Sequence, residues 1–121
     1  MPGRRSRLFF AFLWTALLLV AAGPGFRSPQ GLEEHYRKHG REFGGITKAE
    51  YLRLAQALRD APAGGPILEA VKPDGVITRF DRRHGYFGAY NQDGTIRTFF
   101  NPAVGESYFR RQAQRGAPRN D

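Results

Sequence analysis

Apolar residues follow three successive rhythms along this chain. The first is an unbroken uncharged run from Leu8 to Ala22, preceded by Arg4, Arg5 and Arg7 and ending in the small-x-small step Val20-Ala21-Ala22. A basic segment, an apolar stretch and a small-residue step form, in that order, a secretory signal, here cut before Gly23. The run is shorter than the roughly 20 residues a membrane-spanning helix needs. Residues 1–22 are therefore expected to be a removed signal, with an uncleaved membrane anchor as the weaker alternative. Arg4-Arg5 suggests a twin-arginine signal, but Arg7 stands where that signal takes an apolar residue.

The second rhythm is helical. Gly23 to Gln30, with its Gly and Pro residues, reads as a linker (23–30), and Ser28-Pro29 supplies an N-cap followed by Pro at the first helical position. Leu32, Tyr36, His39 and Phe43 then fall on one helical face, which Gly40 weakens and Gly44-Gly45 closes. A second helix opens on the capping box Thr47-Lys48-Ala49-Glu50 and places Tyr51, Leu54, Ala55 and Leu58 on one side. The run from Asp60 to Pro66 breaks it.

After Pro66 the period becomes two. Ile67–Lys72, Val76–Asp81, Tyr86–Asn91 and Thr95–Phe100 read as strands separated by short turn clusters, and connections this short join antiparallel neighbours. The expected fold class is α+β: two N-terminal helices packed on a four-stranded antiparallel β-meander, followed by a short C-terminal helix around 107–114. Period-two reading places Val76, Thr78 and Phe80 on one face and Ile77, Arg79 and Asp81 on the other. In the last strand it groups Ile96, Thr98 and Phe100 against Thr95, Arg97 and Phe99. With helices on one side, the opposite sheet face is left for a ligand. The domain is expected to span residues 31–114, with a frayed, disordered tail over 115–121.

Composition narrows the function classes. The 121 residues carry 19 Lys and Arg against 11 Asp and Glu, a net charge of +8, and the chain stays basic without its signal. That balance favours an acidic partner such as nucleic acid or an anionic surface, although a merely basic soluble protein would look the same. There is no cysteine, so stability rests on packing, for which ten Phe and five Tyr are suited. A monomer, secreted or periplasmic and with no membrane span after signal removal, is expected.

Candidate chemistry centres on His35 and His39, one helical turn apart, with Lys38 and Arg41 beside them. Imidazoles serve as general base and acid near neutral pH. The bland alternative makes His39 an edge-of-core residue and His35 an exposed one. No metal site is expected: cysteine is absent, His84 is the one further histidine, and there is no His-Glu-x-x-His. No nucleophile elbow, phosphate-binding Gly loop or dinucleotide fingerprint is present, and no cofactor is expected.

The order of motifs resembles one family. His35-Tyr-Arg-Lys-His39-Gly40-Arg-Glu42-Phe43-Gly44, then Glu50-Tyr51-Leu52, Arg79-Phe80-Asp81, Gly85-Tyr-Phe87-Gly88, and Asp93-Gly94-Thr-Ile96-Arg97-Thr98-Phe99-Phe100-Asn-Pro102 carry the resemblance. It is to the C-terminal toxin domains of bacterial polymorphic and contact-dependent inhibition systems, in the barnase/colicin D-like ribonuclease group. The resemblance implies helices followed by an antiparallel sheet, metal-independent RNA cleavage and a cognate immunity protein as partner. It also implies roles: His39 as first acid/base candidate and His35 as second, and Thr98 orienting the scissile phosphate. Lys38, Arg79 and Arg97 would bind phosphate. Members of that group usually end a long delivery protein, whereas here the domain follows its own signal. A non-catalytic secreted module that binds nucleic acid or another polyanion is the alternative, and an immunity-like inhibitor a further one.

Overall fold

The computed structural model describes residues 23–115; the expected signal and the expected tail beyond Arg115 lie outside them. Helix α1 spans Pro29–His39. Ser28 caps it from an extended backbone, its hydroxyl accepting from the Gly31 amide at 3.0 Å. The helix stops at His39, and a 3-10 turn over Gly40–Phe43 carries the same apolar face onward. Gly40 is needed for space: a Cβ there would lie 2.8 Å from the Tyr36 ring. Helix α2 spans Lys48–Asp60, and both halves of its capping box form: Glu50 N–H donates to Thr47 Oγ1, and Thr47 N–H to the Glu50 carboxylate. Tyr51, Ala55 and Leu58 are its buried stripe.

Strands β1 (Ile67–Val71), β2 (Ile77–Asp81), β3 (Tyr86–Tyr90) and β4 (Ile96–Phe100) form a four-stranded sheet in the order β1-β2-β3-β4. Every neighbour is antiparallel, so the fold is the α+β meander expected from the sequence. Two of its hairpins turn on Asp-Gly pairs. Asp74 and Asp93 each accept the backbone N–H two residues on, and Gly75 and Gly94 take the left-handed backbone (φ 87° and 90°). The bonds from Thr95 hold the Asp93 carboxyl below the ordinary carboxylate range. Helix α3, Glu106–Arg115, completes the order.

The sheet is covered on both sides. Helices α1 and α2 pack with Tyr90, Ile96 and Phe99 around Tyr51, which is 0 % exposed. Tyr51 lies among the rings of Phe26, Tyr36, Phe43 and Phe99, and its hydroxyl donates to the Phe99 carbonyl of β4. Tyr90 makes the reciprocal link, its hydroxyl donating to the Ala55 carbonyl of α2 at 2.8 Å. Burial raises both phenols above their ordinary range. Helix α3 covers part of the other face, packing Phe109 and Tyr108 against Phe80, Phe87 and Phe100.

Two details depart from simple pattern reading. Pairing between β3 and β4 shifts: Ala89 faces Thr98, but Tyr90 faces Ile96, so Arg97 is an extra residue in a β-bulge. Ile96 consequently joins the helix-side core with Phe99 instead of sharing a face with Thr98 and Phe100. The stretch read as a linker also belongs to the fold. Phe26 pairs in parallel with Ile96, Ile96 N–H donates to the Gly25 carbonyl, and Gln56 donates to the carbonyls of Gly23 and Pro24.

Tyr51→Phe keeps the ring and strands the buried Phe99 carbonyl. The expected cost is about 1–2 kcal/mol of unfolding free energy, read by urea denaturation. A second expectation concerns acid. Arg82 and Arg110, both hydrogen-bonded to Glu106, hold its carboxyl down at about 2, against an ordinary 4.5. A carboxyl lowered in the folded state stabilises above its unfolded value, and that contribution is lost as pH falls through the folded one. Glu106→Gln should therefore lower the melting temperature at pH 7, and its difference from wild type should shrink between pH 4.5 and 2. Thermal scans across that range check it.

Candidate functional site

On the α3 side, the helix leaves one end of the sheet uncovered, and a cavity of about 450 Å³ opens there. Strand alternation makes its floor: Thr78 from β2, Phe87 and Ala89 from β3, and Thr98 from β4. Tyr108 and Gln112 of α3 form one wall. The β1–β2 hairpin contributes Lys72 and Asp74, the segment entering α1 brings Phe26 and Arg27, and α1 itself brings His35.

The bulge shapes this site. In a regular strand Arg97 would point away from Thr98; as the extra residue it joins Thr98 in lining the cavity. Its guanidinium is steadied by a bond of 3.0 Å from Nη1 to Asn91 Oδ1. Thr78 is committed to structure, its hydroxyl donating to the Ala70 carbonyl across the sheet.

The two histidines of α1 stand side by side, ring centroids 6.4 Å apart. His35 lines the cavity with its ring 4.8 Å from that of Phe26. Its Nδ1 lies 2.8 Å from the Gly31 carbonyl, which only accepts, so Nδ1 carries the proton and Nε2 is left for a ligand. His39 sits just outside the lining, stacked on Phe100 at 5.1 Å, with Nδ1 2.8 Å from a Glu42 carboxylate oxygen. Its position is thus both the edge of the core and the neighbourhood of the cavity.

The remaining sequence candidates separate. Lys38 is exposed on α1 and does not line the cavity. Arg79 lies on the opposite face of the sheet from Thr78 and Phe80, against α2. Its Nη1 donates to the carbonyls of Leu58 (3.2 Å) and Ala61, and its Nη2 to Glu69 at 2.5 Å. There it satisfies open carbonyls at the C-terminal end of α2, where a cation also suits the helix dipole. So His35, Arg97 and Thr98 converge, His39 adjoins them, and Lys38 and Arg79 stand apart.

Pattern reading did not single out Arg27, Lys72 and Tyr108, which only tertiary folding brings to the cavity. Glu42, three residues after His39, was within reach of helical spacing. The third histidine, His84, is exposed in the β2–β3 turn; its Nδ1 is 2.7 Å from Asp81 and its ring stacks on Tyr86. Among the described residues no group of three or more His, Asp or Glu side chains is placed to hold a metal ion. Nor is any helix among them long and apolar enough to cross a membrane. No family model matches the chain, and no curated protein matches it.

If Arg79 serves the fold, Arg79→Ala should lower stability by roughly 1.5–3 kcal/mol, the range for hydrogen bonds to a charged group. At a temperature where the variant is fully folded, its affinity for RNA should equal that of wild type. Chemical denaturation and a filter-binding titration check the two halves.

Proposed function

We propose that this chain is an exported, metal-independent endoribonuclease with its active site in the α3-side cavity. The observation that carries the reading is that His35, Arg97 and Thr98 all line that cavity, with the His39 ring adjoining that of His35. Arg27 and Lys72 add two further cations for the phosphates on either side. Only one carboxylate, Asp74, lines the same space.

In this chemistry the substrate supplies its own nucleophile. One imidazole takes the proton of the ribose 2′-hydroxyl as the 2′-oxygen bonds to the adjacent phosphorus. The other gives a proton to the departing 5′-oxygen as the phosphorus–oxygen bond breaks, leaving a 2′,3′-cyclic phosphate and a 5′-hydroxyl. Thr98 donates a hydrogen bond to a non-bridging oxygen, and Arg97 with Lys72 balances the charge that builds on the phosphate. Tyr108 offers a ring against which a base can stack.

The resemblance to toxin domains of the barnase/colicin D-like group supports this reading and extends it to biology. On that resemblance the chain would act as a toxin with a dedicated immunity protein as its partner, and the signal-like residues 1–22 would send it to the periplasm or outside the cell. The second reading, a secreted module that binds a polyanion without turnover, is favoured by the same cations around the cavity. The two differ in whether the imidazoles are needed.

A labelled RNA incubated with the purified chain in EDTA should be cleaved, while the DNA of the same sequence stays intact for want of a 2′-hydroxyl. His35→Ala and His39→Ala should each slow cleavage by about 10²–10⁴-fold, and Thr98→Val by about tenfold, the value of one lost hydrogen bond. Salt-dependent RNA binding without turnover would overturn the enzymatic reading and leave the binding module.

A further inference from the structure

Glu42 is the one carboxylate joined directly to either histidine of α1 in the described structure, and both of its oxygens are in use. Oε2 lies 2.8 Å from His39 Nδ1, and Oε1 accepts the backbone N–H of Asn101 at 2.8 Å. The 3-10 turn after α1 is thereby tied to the residue just after β4, two positions past Phe99. The His39 ring is held flat as well, stacked on Phe100 with an interplanar angle of 25°.

From this geometry we infer that Glu42 is a positioning residue for His39: it fixes the neutral imidazole as the Nδ1–H tautomer and leaves Nε2 as the atom that takes and returns a proton. A carboxylate oxygen only accepts, so the proton of the pair sits on Nδ1. Among the described residues nothing hydrogen-bonds to Nε2 of His39. The anchor to Asn101 prevents the carboxylate from following the ring, so the imidazole has one tautomer and one orientation. For catalysis the inference rests on the ribonuclease reading above; for the tautomer it rests on the hydrogen bonds alone.

Glu42→Gln tests it sharply because glutamine has the same shape and one acceptor instead of two. The Asn101 N–H can only donate, so the amide oxygen stays with it and the amide NH₂ turns to His39. An NH₂ group also only donates, so Nδ1 must become the acceptor and the proton must move to Nε2. The variant should invert the tautomer of neutral His39 without moving the fold.

The measurement is ¹⁵N-detected imidazole NMR of the full chain, wild type and Glu42→Gln, at a pH where the rings are neutral. Wild type should show Nδ1–H at His39 and the variant Nε2–H. An Nε2–H wild type overturns the inference without recourse to any variant, as does a folded Glu42→Gln that keeps Nδ1–H. In parallel, RNA-cleavage kinetics should show kcat lowered at least about tenfold in Glu42→Gln with KM changed less than about twofold, the pattern of a mis-set tautomer. Unchanged kcat in the presence of an active wild type overturns the catalytic half. A wild type that does not cleave RNA overturns the ribonuclease reading, while the NMR arm still decides what Glu42 does to His39.

Discussion

The hydroxyl of Tyr51 reaches across the interior to the carbonyl of Phe99, and the domain is organised around that bond. It joins α2 to β4 at a point with no access to water, where an unmatched carbonyl would be costly. Around it, the rings of Phe26, Tyr36, Phe43 and Phe99 come from the entering chain, α1, the 3-10 turn and the last strand. Four separate segments of the helix-side face therefore pack against one side chain. In a domain without disulfides, such a shared centre takes the place of a covalent staple. The β4 strand held in this way presents Thr98 and Phe100 on its other side.

Two faces of one sheet thus divide the labour between them. On the helix side, even charged groups are absorbed into structure: Arg79 closes the end of α2, and Arg59 donates to the carbonyls of Pro24 and Gly94. On the α3 side, the helix covers Phe80 and leaves Thr98, Arg97 and His35 around an open cavity. Function, on the ribonuclease reading, occupies the part of the sheet that packing does not need.

The elements were largely legible in the sequence because each carries local chemistry. The capping box at Thr47, the Ser28-Pro29 start and the Asp-Gly turns all act within four residues, and strand limits differ by a residue from those read off the pattern. What was not legible depends on partners distant along the chain. Arg79 alternates properly with Phe80, but nothing local says that its side of the sheet faces α2. Lys38 adjoins His39 in sequence, yet a helix turns neighbours about 100° apart, and only the histidine meets Phe100. Arg27 and Lys72 reach the cavity from segments whose own sequence is that of a cap and a turn. The parity of β4 misleads in its first half because one extra residue at Arg97 changes phase, which alternation counts cannot register.

That extra residue has a consequence for how the molecule behaves among its own copies. β4 is the last strand of the sheet, and an outer strand with a regular row of free amides and carbonyls invites another chain to add to it. The bulge breaks the row near its start, while Phe26 takes the pairing position beside Ile96. What aims a guanidinium at the cavity also spoils the template for strand addition, so the edge nearest the proposed site is protected from aggregation by the irregularity that serves the site.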